Sequence, residues 1–542
     1  FIEEEKKMNH NIGSICSTIQ CKNGKSNKTA LRLISPDFTR IDYTFSDLEK
    51  ESNRFANALK SLGIQKGEII FIFLPRQLEV FISFLGILKQ RAVAGVLFSN
   101  FGREAAFERL LDASARVLIT KSSLLKKLET ILSELPKLEK IILTDISEHQ
   151  SDNVLSYAQL MKSSDDQFIV EPTDPESPAL LHYTSGSTGK PKGVLHVHGA
   201  INHHLLTMDE VIQAEDDDIY WCTADQAWVT GVTYGIIGPW AKGLTQVHYT
   251  GNFGVREWFE ILRRESVTIW YTAPTALRML IQQEAQCDDL PQDFPDLKRV
   301  YSVGEPLNPE IIAWVRQRMN KEIYDTWFQT ETGGIMISNR PGIEVKPGSM
   351  GKPLSDVEPG IFTEQDMRLK AGEIGSLRIK KGWPSMFRQY RNMQQAYIDK
   401  FHGDFYDTGD LAKVDEDGYY WFFGRNDDVI NTSGHLVGPF EVESCLLEMD
   451  GIVDVAVIGA PDEMLYEKIV AFVSLSPGLE WSRSFEVKCR IHVSNRLSPV
   501  AVPVEFYVTT AIPKNRSGKI MRRVLRARYL HQDEGDVSTM EE

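Results

Sequence analysis

The chain has 542 residues, 42% of them hydrophobic and 25% charged, with 60 basic side chains against 75 acidic ones and a formal net charge of −15. So long a chain predicts two to four units with cores of their own. The acidic balance excludes nonspecific attraction to nucleic acid or anionic membrane as the basis of function, while leaving room for local basic sites.

The first residues, FIEEEKKMNHN, are acidic and lack an apolar signal segment, so no secretory leader is expected there, and the absent initial Met points to a late start or to processing. Six cysteines, at 16, 21, 222, 287, 445 and 489, form no Cys-x-x-Cys pair, and a reduced cytoplasmic setting is the expectation. The most apolar stretch, EIIFIFLPRQLEVFISFLGILKQ, is broken by Pro75, Arg76 and Glu79. What remains, VFISFLGIL, is too short for the roughly 20 residues of a membrane helix and predicts a buried helix behind a buried strand. β-Branched runs then alternate with helical patterns: EIIFIFL before 78–89, ARVLITK before 122–135, VTIWYT before 275–283 and LKRVYSV before 309–319. This alternation predicts parallel, doubly wound sheets. From about 342 to 423, short Gly-rich extended pieces such as GSLRIKKG and GYYWFFGR predict an antiparallel subdomain. After Asp427 the alternation returns on a smaller scale and closes with the helical pattern KIMRRVLRARYL. The expected fold class is α/β: a large N-terminal domain over 1–427, with doubly wound sheets and a β-rich subdomain, and a small α+β C-terminal domain over 428–542. The chain shows no internal repeat and no low-complexity tract.

Several stretches carry chemistry. YTSGSTGKPKG, Tyr183 to Gly193, packs two Ser, two Thr, three Gly and two Lys into one short run. Glycines let backbone N–H groups turn toward a common point, the hydroxyls and ammonium groups add donors and charge, and a polyphosphate is the fitting guest. On composition alone the same run also describes a solvated loop. It is not a Walker A loop, because Pro191 stands five after Gly186, and NRSGKI fails likewise because Pro513 stands five before Gly518. SVGEPLNPE and YDTWFQTETGG stand where strands should end, and ligands of open α/β sheets bind beyond the carboxyl ends of strands, so both predict the lining of one crevice. Glu331 there is a Mg²⁺ ligand or a helix cap. Asp410 and Arg425 each follow a Gly turn; a carboxylate suits a ribose diol and a guanidinium suits a phosphate, or both are solvated turn residues. Lys519 precedes Arg522, Arg523, Arg526 and Arg528, which read as the basic face of a terminal helix. His182, His196, His198, His203 and His204 have no Cys or carboxylate at ligand spacing and read as core or crevice histidines rather than a zinc site.

YTSGSTGKPKG, SVGEP, DTWFQTETGG, YDTGD, GRNDDVINTSGH and PKNRSGKIMRR, in this order, resemble the adenylate-forming enzymes, and within them the acetyl-CoA synthetases and relatives acting on short or medium acyl groups. The likeness runs from about residue 30 to the C-terminus. It implies an ATP-dependent acid–CoA ligase that makes an acyl-adenylate and then an acyl-CoA thioester, with ATP, Mg²⁺ and CoA as cofactors and acetate as the first-choice acid. The alternatives are propionate or a somewhat longer acid, or transfer to a carrier protein. By the same resemblance, Thr184, Ser185, Gly186, Ser187, Thr188, Gly189, Lys190 and Lys192 embrace the β- and γ-phosphates. Gly304, Glu305, Pro306, Asp325, Thr326, Trp327, Gln329 and Thr330 hold the adenine and α-phosphate, Glu331 binds Mg²⁺, Asp410 the ribose and Arg425 a phosphate. Lys519 reaches the forming acyl phosphate from a mobile C-terminal domain, which turns about Asp427 and then presents Ser433 and Gly434 to CoA. Val229, Thr230, Val303 and Phe328 wall the acyl pocket. Two positions depart from the pattern: Leu436 stands where the family has Arg after SGH, and Phe328 where acetyl-CoA synthetases carry a second Trp, which gives longer acids weight. The implied partners are small molecules, with neither nucleic acid nor membrane, in the cytoplasm, and Lys519 is the expected target of regulatory acetylation.

Overall fold

The computed structural model describes residues 10–185, 191–284, 286–433, 435–515, 518–535, 537 and 540. Runs such as Ile69–Ile72, Val117–Thr120 and Ile269–Thr272 are buried at every position. Continuous apolar runs of this kind suit strands covered on both faces, and here they form the parallel centres of two sheets. The first sheet has eight strands in the order 389–390, 191–197, 178–185, 93–96, 69–72, 117–120, 140–143 and 154–156. The second has nine, in the order 352–353, 337–338, 323–327, 299–303, 269–272, 219–222, 245–249, 29–34 and 40–44. Antiparallel strands occur at their edges. A third sheet, with strands 359–362, 375–380, 401–402, 405–414 and 420–425, is antiparallel, as the Gly-rich text predicts. The fourth collects strands 430–432, 435–437, 452–462, 466–475 and 505–508, with helices Pro439–Leu447, Arg483–Arg496 and Arg522–Tyr529 in the same part of the chain. The protein is therefore a mixed α/β molecule with large N-terminal sheets and a smaller C-terminal one.

Helices Leu78–Lys89 and Pro309–Met319 occur with the predicted bounds. The second opens on a Pro and stops at Asn320, whose left-handed φ of 53° no helix can continue. Two expectations are corrected. Over 122–135 only Ser122–Leu125 is α-helical, and Lys126–Glu134 tightens to a 3₁₀ form in which Leu128 alone is buried, a seam too thin for packing to enforce α geometry. The closing helix starts at Arg522 rather than 519, because the Asn515 N–H donates to the Lys519 carbonyl (2.8 Å) and the Lys519 N–H to Asn515 Oδ1 (2.9 Å), folding this segment into a turn. Among the described residues no helix is long and apolar enough to cross a membrane.

Seven elements frame the region where the motifs meet: β1 (Pro178–Ser185), β2 (Pro191–Val197), α1 (Pro274–Glu284), β3 (Arg299–Val303), β4 (Ile323–Trp327), β5 (Phe405–Val414) and β6 (Tyr420–Arg425).

Candidate functional site

β3 and β4 are parallel neighbours, with Val303 opposite Thr326, so the segments that leave their carboxyl ends emerge side by side. Gly304 turns the first of these with φ of 93°, a conformation that a side chain disfavours. YDTWFQTETGG does not follow its strand as expected; its β-branched and aromatic first half, to Trp327, is the strand itself. Gly304, Glu305 and Pro306 line one crevice with Asp325, Thr326, Trp327, Phe328 and Gln329, and Asp410, Arg425 and Lys519 line it from other parts of the chain.

Asp410 lies at its centre, 3% exposed. Its Oδ2 accepts from Trp327 Nε1 (3.0 Å) and Gln329 Nε2 (3.1 Å), and its Oδ1 forms an ion pair with Arg425 Nη1 at 3.1 Å. That pair is a cross-strand product of the β5–β6 register, which sets Asp410 opposite Arg425. Burial pushes the Asp410 carboxyl above its ordinary range while Arg425 and Lys519 pull it back, and Asp410 in turn raises the Arg425 guanidinium. Lys519 is exposed and lines the crevice. Desolvation lowers its ammonium from the usual value, Arg425 lowers it further, and Asp410 and Asp428 oppose. Asp325 accepts from Ser302 Oγ at 2.8 Å, and burial pushes its carboxyl up to about 7.

A second group lies where the β1–β2 hairpin meets the TETGG segment. Thr184 pairs with Lys192, and Ser185 with Pro191, across that hairpin. Glu331 Oε1 accepts from the Tyr390 hydroxyl at 2.7 Å, and Lys192 Nζ stands 5.4 Å from the Tyr390 ring centroid. Tyr390 thus ties the candidate metal ligand to the lysine that follows the loop. Gly186, Ser187, Thr188, Gly189, Lys190 and Gly434 lie outside the described residues, as does the side chain of Ser185.

The histidines hold this segment in place. His196 Nε2 bonds the Thr330 carbonyl (2.7 Å), His204 Nε2 that of Gly333 (3.0 Å) and His203 Nε2 that of Ile335 (2.9 Å). Burial keeps four of the histidines neutral, pulling His196 down to about 4 and His182, His198 and His204 to about 3. Among the described residues, the metal-type donors that gather within 4.8 Å of one another are those of Cys445, Glu448 and His492, in the C-terminal part of the chain; there Arg496 engages both oxygens of Glu448.

Of the residues expected around the acyl group, Phe328 is half-buried, with its ring 5.4 Å from that of Tyr234. Val303 belongs to the same apolar cluster, whereas Val229, Thr230 and Val303 are not among the residues lining the crevice. Asp427 is exposed beside Arg425, at 3.9 Å. Ser433 is exposed with a left-handed φ of 52°, and Leu436 is 49% exposed. The terminal arginines are not a free basic face: Arg522 bonds Glu443 (2.6 and 2.7 Å) and Arg526 pairs with Glu467 (3.1 Å), because acidic side chains of neighbouring elements meet them.

Sequence reasoning missed Arg278, Tyr390 and Thr275. Arg278, on α1, lines the crevice and binds Glu305 Oε2 at 2.7 Å, and Thr275 bonds Gly518 of the Lys519 turn. Each is one polar residue in an ordinary helix or strand pattern, and no local signal marks it.

Residues 19–391 match the family described as AMP-binding enzyme, and residues 441–519 match the AMP-binding enzyme C-terminal domain. The chain is 44% identical over 504 residues to the acetyl-coenzyme A synthetase of Bacillus subtilis (strain 168), covering 92% of this chain and 87% of that one. It is 37% identical over 553 residues to the acetyl-coenzyme A synthetase of Rubrobacter xylanophilus, covering 97% and 85%. Among solved structures, an anthranilate CoA ligase in complex with anthranoyl-AMP superposes with a TM-score of 0.87 at 29% identity, covering 96% of this chain and 97% of that one.

Proposed function

The chain belongs to the AMP-binding enzyme family, and from that premise we propose that it is an AMP-forming acid–CoA ligase whose acid is acetate. The observation that carries this reading is the convergence of Asp410, Arg425, Gln329 and Lys519 on one crevice at the carboxyl ends of β3 and β4. A carboxylate acylates poorly because its leaving group would be oxide. In the first step a carboxylate oxygen attacks the α-phosphorus of ATP and the bond to pyrophosphate breaks. Negative charge grows on the leaving group and around phosphorus, where Lys519 and Arg425 are placed to stabilise it. Asp410 suits the ribose hydroxyls, since its Oδ2 is already oriented by Trp327 and Gln329. In the second step the CoA sulfur attacks the acyl carbon, the bond to AMP breaks with the electron pair going to the phosphate oxygen, and the thiol proton passes to solvent.

The remaining roles belong to the same proposal. Thr184, Lys192 and the loop between them serve the β- and γ-phosphates. The donor set fits Mg²⁺: Glu331 offers a hard carboxylate with one oxygen steadied by Tyr390, and phosphate-bound Mg²⁺ takes only one or two such protein ligands. Glu331 would hold the ion, which supplies charge neutralisation at the phosphates. The part of the chain after Asp427 rotates about that residue between the steps, withdrawing Lys519 and bringing Ser433 and Gly434 toward CoA. The use of ATP and a free thiol cosubstrate supports the cytoplasm as the place where the enzyme works. Phe328, in place of a second Trp, supports propionate as a second acid. The test is to incubate the protein with acetate, ATP, Mg²⁺ and CoA: acetyl-CoA, AMP and pyrophosphate should appear in equal amounts with no protein acceptor added. ADP and phosphate instead, or no thioester without a carrier protein, would refute it.

A further inference from the structure

The turn that carries Lys519 meets the large N-terminal part of the chain at a hydroxyl of α1. Thr275 Oγ1, at the first turn of α1, bonds the Gly518 carbonyl at 3.1 Å, and both residues are buried. The direction of this bond is fixed by chemistry. Arg278 Nη2 lies 2.7 Å from the same Oγ1, and a guanidinium only donates, so the threonine oxygen must accept there. Its single proton is left for the Gly518 carbonyl. Glu305 holds this arrangement from beneath, accepting from the Thr275 N–H with Oε1 (3.1 Å) and from Arg278 Nη2 with Oε2 (2.7 Å). The fit on the other side is equally specific. Gly518 has a left-handed φ of 83°, and a Cβ placed there would run into the Thr275 side chain. Beyond it, the Lys519 N–H is tied to Asn515 Oδ1, so placing Gly518 also places the lysine at the crevice.

The geometry points to Thr275 as a positioning residue for the adenylation step: its oriented hydroxyl, set by Arg278 and Glu305, latches the Lys519 turn against the crevice. This rests on the adenylation chemistry proposed above. It reassigns Glu305, whose two carboxylate oxygens are both engaged by Thr275 and Arg278, from nucleotide contact to support of the latch. The second step, in which Lys519 has withdrawn, does not use it.

The latch is tested with Thr275→Val, which keeps the shape and removes the proton, Thr275→Ser, which restores the proton, and Gly518→Ala. Each is assayed for acetate-dependent exchange of labelled pyrophosphate into ATP, and separately for acetyl-CoA formation from supplied acetyl-adenylate and CoA. An unpaired buried carbonyl predicts about 10- to 100-fold slower exchange for Thr275→Val, seen in kcat with the KM for ATP little changed. Thioester formation should stay within about twofold of the unaltered enzyme, Thr275→Ser should recover most of the exchange, and Gly518→Ala should lose exchange as Thr275→Val does. Unaltered exchange in Thr275→Val, or parallel loss of both half-reactions, would overturn the latch. An unaltered protein with no exchange at all would overturn the adenylation reading, and the latch with it.

Discussion

Phe328 offers the sharpest test of substrate choice. Its half-buried ring meets Tyr234 edge-on, with 5.4 Å between centroids and 73° between planes, and it lines the crevice while packing on the cluster that contains Val303. If this ring closes the acyl pocket, each methylene that fits or fails to fit changes transition-state binding by about 1–3 kcal/mol, or roughly 10- to 200-fold in kcat/KM. Phe328→Trp should therefore move preference toward acetate by at least about tenfold over butyrate. Phe328→Gly should admit butyrate and hexanoate at the expense of acetate, with a stability loss of up to about 3 kcal/mol for the lost packing. ATP affinity should hardly change, because Trp327 and Gln329 still orient Asp410. The assay is kcat/KM for acetate, propionate, butyrate and hexanoate in all three proteins, beside their thermal midpoints. An unchanged rank order, with only the midpoints lowered, would make Phe328 a core aromatic and refute the assignment.

Further outcomes follow from the same crevice. Asp410→Asn takes from Arg425 its nearest countercharge, leaving Asp427 at 3.9 Å, and should raise the KM for ATP and lower stability by on the order of 2 kcal/mol, the pair being partly screened by water; an unchanged KM would remove Asp410 from the ribose site. Burial raises the Asp325 carboxyl from 3.8 to about 7, so the folded protein binds this proton more tightly than the unfolded chain. Its contribution to stability is accordingly full below about pH 4 and is lost as pH rises toward 7; thermal midpoints of Asp325→Asn should fall less over that interval than those of the unaltered protein. Acetylation of Lys519 removes the cation beside Asp410 and Arg425 and should silence adenylation; full activity of a homogeneously acetylated sample would contradict this.

The extent to which the site can be read from sequence follows its physics. The crevice formed by SVGEP and DTWFQTETGG was legible because turn residues after β-branched runs are local signals and a parallel sheet brings neighbouring strand ends together, but the end of the second strand was not, since that strand runs on to Trp327. Asp410 and Arg425 were legible as candidates through their Gly turns, but their pairing depends on the register of β5 and β6. Thr275, 243 positions from Gly518, and Tyr390, 59 positions from Glu331, could not be found in this way, since each reaches the site from a distant and ordinary pattern. The arginines after Lys519 misled for the converse reason: a basic run looks solvated until the chain brings Glu443 and Glu467 to it.

The central claim is that one crevice forms the acyl-adenylate and that Lys519 serves this step alone. It is tested most directly by measuring both half-reactions in the unaltered protein and in Lys519→Ala. The account predicts acetate-dependent exchange of labelled pyrophosphate into ATP in the former, its abolition in the variant, and thioester formation from supplied acetyl-adenylate largely spared in both. Exchange that ignores acetate, or a variant that loses both half-reactions equally, would contradict it.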